Sequence, residues 1–77
     1  MAHDFIGKNL RMHRKDKGLT QGEVAQQAGI SRTAYRNIET GKADPKVDTL
    51  ISICNVLGVK MQDVCTPART LKQVKWN

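Results

Sequence analysis

An all-α fold, a compact bundle of five short helices, is what this sequence predicts, and three observations predict it. Apolar residues recur at intervals of three and four along most of the chain. The pattern breaks at Gly18, Gly29, Gly41 and Gly58, where helices end, and resumes after Thr20 and Ser31, residues suited to cap a helix start. The third observation is composition: 77 residues, 39% hydrophobic and 4% aromatic, suffice for one small core of Leu, Ile, Val and Ala. A catalytic cleft between lobes is not expected at that size.

The first helix is expected from about Phe5 to Lys17, with Ile6, Leu10 and either His13 or Arg14 turned inward, and it stops at Gly18. The second opens with Thr20 as its cap and Glu23 three residues on, a capping box in which each side chain satisfies an orphan backbone N–H. Val24, Ala25 and Ala28 form its apolar face. Gly29 breaks it, Ile30 plugs the corner, and Ser31 caps a third helix that ends near Glu39, with Gly41 just beyond. The segment GKADPK reads as a loop. A fourth helix covers about Val47 to Leu57, burying Leu50, Ile53, Cys54 and Leu57 before Gly58, and a fifth of a turn or two covers about Met61 to Val64.

The passage from Gln21 to Ile38, QGEVAQQAGISRTAYRNI, carries the functional signal. Two helices that cross steeply after a turn of three or four residues collide unless the first is small at the crossing and the turn admits a positive φ. Ala25 and Gly29 meet those demands. At 100° per residue, Ala34, Tyr35 and Ile38 occupy one side of the third helix and Arg32, Thr33, Arg36 and Asn37 the other. That outer row suits the major groove of DNA: Arg can grip guanine through two bonds, Asn can grip adenine, and a Thr methyl can meet that of thymine.

Charge is distributed accordingly. The net charge is +6 and the pI 9.8. Residues 1–18 hold Lys8, Arg11, Arg14, Lys15 and Lys17 against two acids, residues 31–46 hold Arg32, Arg36, Lys42 and Lys46 against two, and residues 66–77 hold Arg69, Lys72 and Lys75 against none. Segregated basic segments are what a polyanion-binding surface requires, although charge alone fits a solvated basic face equally well.

Other function classes lack support. Cys54 and Cys65 form no CxxC and have no His at ligand spacing, so free thiols, no metal and no cofactor are expected. His3 and His13 have no catalytic partner, and no convergent set of nucleophile, base or metal ligands marks an enzyme. No apolar run approaches the roughly 20 residues of a membrane span, and MAHDFIGKNL lacks a signal peptide's apolar stretch, so a cytoplasmic protein is expected.

The segment LTQGEVAQQAGISRTAYRNIETGK resembles the helix-turn-helix of the Cro/C1-type, or xenobiotic-response-element, family of bacterial and phage regulators. The similarity runs from about Ile6 to Cys65 and implies a lambda-repressor-like bundle with its helix-turn-helix at helices 2 and 3. It also implies roles. Gln21 matches a glutamine that bonds a DNA phosphate and braces the recognition helix; Arg32, Thr33 and Arg36 match base-reading positions, with Asn37 adjoining. Ser31 and the loop residues Thr40, Gly41 and Lys42 match positions that meet phosphates, and Arg14 and Glu39 match an internal salt bridge between helices 1 and 3. Three residues depart from the family pattern: Tyr35 replaces an aliphatic residue, so its hydroxyl must reach solvent or a partner; Lys46 stands where a Ser or Thr caps helix 4; and His13 replaces an aliphatic neighbour of the core.

The expected organisation is a helix-turn-helix domain over residues 1–65 and a tail over 66–77, where Leu71, Val74 and Trp76 make either a dimer contact or the start of a missing domain. The expected function is a sequence-specific regulator of double-stranded DNA, a repressor that binds a pseudo-palindromic operator as a homodimer. Ile51, Val56 and the tail are candidates for the subunit contact, or finish the monomer core. The rival readings are the N-terminal DNA-binding module of a larger ligand-responsive or peptidase-linked regulator, and an antitoxin whose partner is a toxin protein.

Overall fold

A computed structural model describes residues 4–66, and within them every regular element is a helix. In order these are α1 (Asp4–Asp16), α2 (Gln21–Ala28), α3 (Arg32–Glu39), α4 (Val47–Leu57) and α5 (Met61–Cys65). The expectations for His3 and for residues 67–77 lie outside the described residues.

The helix ends follow local chemistry. Thr20 Oγ1 accepts from the Glu23 N–H at 3.1 Å while Glu23 Oε1 accepts from the Thr20 N–H at 2.8 Å, which closes the capping box at the start of α2. Ser31 Oγ accepts from the Ala34 N–H at 3.0 Å and starts α3. Between them Gly29 takes φ 77°, in the left-handed region, and the Ile30 N–H reaches back to the Ala25 carbonyl at 3.0 Å. This six-to-one bond closes the helix and redirects the chain within a few residues. At Lys46, by contrast, no side chain caps α4. The first helix stops one residue earlier than expected, because the Gly18 N–H turns to the Lys15 carbonyl at 2.9 Å and the Leu19 N–H reaches back to that of Arg14 at 3.1 Å, which ends the helical ladder.

One core joins all five helices: Leu10 of α1, Val24 and Ala25 of α2, Tyr35 and Ile38 of α3, Leu50, Ile53, Cys54 and Leu57 of α4, and Val64 of α5. Fully burying an aliphatic side chain of this size contributes about 1.5–3 kcal/mol, so the set is the main source of stability. Cys54 behaves as a small hydrophobe within it, its Sγ 4.0 Å from Met61 Sδ, and burial pushes its thiol pKa up. Ile51 remains 44% exposed and Val56 packs partly against the core.

Two residues of α3 differ from expectation. Ala34, expected on the inner side, is exposed, and Asn37, expected on the outer side, is half-buried. The bulky ring of Tyr35 takes the centre of the inner face. The loop after α3 folds back beneath Asn37, whose carbonyl accepts from the N–H groups of both Lys42 and Ala43 at 2.9 and 3.1 Å. Ala34 and Asn37 therefore flank a groove of about 390 Å³ shared with Ile30 and the loop residues Ala43 to Lys46.

Two residues of α1 fix where that helix sits. A Cβ at Gly7 would lie 2.3 Å from the Glu39 carbonyl oxygen and 2.7 Å from that of Ile38, so α1 rests directly on the C-terminal end of α3. On the same helix Asn9 is buried, and its Nδ2 donates to the carbonyls of Val64 and Thr66, each at 2.9 Å. That amide satisfies the end of α5, where no helical partner remains. None of the described helices is long and apolar enough to cross a membrane.

Candidate nucleic-acid interface

Glu39, the last residue of α3, organises the site from beneath. It is 7% exposed and receives four hydrogen bonds. Arg14 of α1 donates from Nε to Oε2 at 2.6 Å and from Nη2 to Oε1 at 3.2 Å; Gln21 of α2 donates from Nε2 to Oε1 at 3.0 Å; and the Tyr35 hydroxyl donates to Oε2 at 2.6 Å. Arg14 also gives Nη1 to the Leu19 carbonyl at 2.9 Å, which ties the turn before α2 to the same hub. One carboxylate thus locks α1, α2 and α3 together. Among the described residues no buried side-chain polar atom lacks a partner.

The electrostatics of this hub are set by mutual compensation. Burial alone would raise the Glu39 pKa, but the hydrogen bonds from Arg14, Tyr35 and Gln21 outweigh it and hold the carboxyl below its ordinary value. The Arg14 pKa is raised by its bond to Glu39. Burial, then the bond to Glu39, pushes the Tyr35 phenol well above its ordinary value, so it remains a donor. The polar atom that Tyr35 brings into the core is in this way made part of the brace.

On that brace the outer face of α3 is exposed: Ser31, Arg32, Thr33 and Arg36 all face solvent. Asn37 adjoins them from its half-buried position. Ser31 Oγ, although it accepts from Ala34, keeps its own O–H as a donor. Gln21 keeps one amide proton beyond the bond to Glu39. In the loop after α3 the donors are differently disposed. The N–H groups of Thr40, Gly41 and Lys42 go to the carbonyls of Arg36, Ile38 and Asn37, and Thr40 Oγ1 donates to Arg36 O at 3.0 Å. Of these three residues, the donor presented outward is therefore the exposed Lys42 ammonium.

A second feature borders the same face. Lys8 and Arg11 of α1 and Arg36 of α3, with Gln21 and Thr40, line a cleft of about 470 Å³ whose inner wall is the Arg14–Glu39 pair. Neither Lys8 nor Arg11 was singled out by motif reasoning. The signal that could have found them is their three-residue spacing on one face of α1. Among the described residues no three His, Cys, Asp or Glu side chains gather as a metal site would require.

The helix-turn-helix family profile matches residues 10–64. The chain is 37% identical over 63 residues to an uncharacterized HTH-type transcriptional regulator, y4dJ, of Sinorhizobium fredii, across 82% of each chain. It is 32% identical over 60 residues to the cryptic phage CTXphi transcriptional repressor RstR of Vibrio cholerae, across 78% of this chain and 54% of that protein, so it spans about half of that relative's length. Among solved structures, the hypothetical transcription factor NHTF from Neisseria superposes with a TM-score of 0.89 over 96% of this chain and 85% of that one. At 23% identity that likeness speaks for the fold alone.

Proposed function

We propose a repressor's role for this chain from one premise: it belongs to the helix-turn-helix family, and on that membership it is a DNA-binding transcriptional regulator. The finer reading is of a homodimer that recognises a pseudo-palindromic operator in double-stranded DNA and blocks transcription there. The observation that carries it is the exposed outer face of α3, held rigid from below by the Glu39 hub.

In this reading α3 lies in the major groove. Arg32 and Thr33, at its exposed N-terminal turn, meet base edges; Asn37 adjoins, and Arg36 borders the row on the side of α1. Each well-formed bidentate pair discriminates against the wrong base by about 1–3 kcal/mol. Gln21, Ser31 and the Lys42 ammonium supply the donors of the backbone-facing set around that helix, with Thr40 and Gly41 beside them, whose own N–H groups are held by α3 carbonyls, and phosphate contacts there fix register without reading sequence. A single domain covers few base pairs, and two copies with recognition helices about 34–36 Å apart enter successive grooves on one side of the duplex. Val47 and Ile51, four residues apart and 66% and 44% exposed, give α4 an apolar stripe suited to the subunit contact. The name of the phage repressor RstR favours repression over activation for this chain.

The test is binding in solution, with mass measured alongside. Titration of a labelled duplex and the corresponding single strand should show preference for the duplex and a complex of two protein chains per duplex. Equal affinity for both strands' forms, or a one-to-one complex at saturation, contradicts the reading.

A further inference from the structure

The cleft between α1 and the end of α3 holds four cationic groups and one carboxylate, a net charge of +3. Its sole carboxylate, Glu39, is already engaged by Arg14, Gln21 and Tyr35, so the charge left facing the opening is that of Lys8, Arg11 and Arg36. Lys8 and Arg11 are exposed and stand three residues apart on α1, hence on one face. That face reaches α3 because Gly7 lets α1 rest against the Ile38 and Glu39 carbonyls, where any larger residue would hold it away. The backbone contact at Gly7 thereby places two cations of α1 beside a cation of the recognition helix.

We propose that this cleft receives a backbone phosphate of double-stranded DNA next to the bases that α3 meets, held by Lys8 and Arg11 of α1 together with Arg36, so that Arg36 is a phosphate contact and not a base contact. The proposal rests on the DNA-binding reading above and extends it to a helix outside the helix-turn-helix. Guanidinium groups match phosphate geometry with paired N–H donors, and an ammonium supplies a point charge. Arg36 shares this opening with Lys8 and Arg11, whereas Arg32 and Thr33 do not line it. Selectivity then resides in Arg32, Thr33 and Asn37, and Lys8, Arg11 and Arg36 set sequence-independent affinity.

The experiment measures salt dependence of affinity for two labelled duplexes, one enriched from a random pool and one scrambled, for wild type and four variants. Each lost phosphate contact lowers the slope of log affinity against log salt by about 0.9. With one phosphate in the cleft, K8A/R11A should lower it by about one and Arg36→Ala by up to about one, with equal losses on both duplexes. Lys60→Ala, an exposed cation between α4 and α5, should leave the slope unchanged. K8Q/R11Q, which keeps long polar side chains, should behave as K8A/R11A does, with a melting temperature at the wild-type value. An unchanged slope in K8A/R11A, an equal fall in Lys60→Ala, or a loss in Arg36→Ala confined to the enriched duplex overturns the proposal while leaving the DNA-binding reading intact. Binding of inorganic phosphate that depends on Lys8 and Arg11 without any change in the DNA slope assigns the cleft to a free anion and also overturns it. A wild-type chain that binds neither duplex at low salt defeats the DNA-binding reading itself.

Discussion

Tyr35 and Arg14 donate to the same atom: the phenol hydroxyl and the guanidinium Nε each lie 2.6 Å from Glu39 Oε2. Tyr35→Phe removes one of these donors without changing the packing of the ring. Hydrogen bonds to charged groups contribute about 1.5–3 kcal/mol, and the variant should lose stability of that order. Urea denaturation gives the number, and a variant as stable as wild type would show that the hydroxyl adds nothing to the brace.

The same carboxylate makes stability depend on pH. The folded-state pKa of Glu39 is depressed, so its contribution is fully present above the unfolded-state value and is lost as pH falls through the folded one. Stability should decline as pH drops below about 5. In Glu39→Gln, which cannot ionise, that decline should be shallower and the protein weaker at neutral pH, by about 3–5 kcal/mol as for a broken buried pair. Urea midpoints of both proteins between neutral and acidic pH make the comparison, and parallel curves would remove Glu39 from the acid response.

Gly7 and Gly29 should fail for different reasons when replaced by Ala. At Gly7 the added Cβ meets backbone oxygen at 2.3 Å, which forces α1 away from α3 and costs about 1–3 kcal/mol or more. At Gly29 nothing lies within 4 Å, and the cost is that of holding a side chain at φ 77°, about 1–2 kcal/mol. Gly29→Val adds β-branching and should exceed Gly29→Ala. Thermal unfolding measures both losses, and the salt slope for duplex DNA should separate the two sites: Gly7→Ala displaces Lys8 and Arg11 from the end of α3 and lowers the slope, whereas Gly29→Ala disturbs the turn into α3 and leaves that cleft in place.

Much of this architecture was legible in the sequence because its signals are local. Thr20 with Glu23, Ser31 with Ala34, and Gly29 before Ile30 act within a few residues, and those bonds are present. Residues whose meaning depends on a distant neighbour were not legible. Gly7 looks like a weak point in a helix until the Glu39 carbonyl is set against it, and Asn9 looks like a surface amide until the end of α5 arrives. Ala34 and Asn37 show the same limit on α3. Helical periodicity assigns residues to faces, but the fold-back of the following loop decides which face is covered. The Tyr35 hydroxyl had to reach either solvent or a partner, and the assembled hub supplies the partner.

Arg32→Ala and Thr33→Ala test the reading face without touching the brace. Both residues are exposed, so the melting temperature should stay within about a few degrees of wild type. Affinity for the enriched duplex should fall by about 1–3 kcal/mol for Arg32→Ala, with a smaller change on scrambled DNA. Unfolding of either variant would show that this face is not the outer one.

The most direct test of the central claim is selection of bound duplexes from a random double-stranded pool by the folded chain. Enrichment of an inverted repeat, its half-sites about 34–36 Å apart, is the predicted result. A pool that emerges with no sequence enriched, under conditions where the protein is folded and bound to duplex, would contradict sequence-specific recognition.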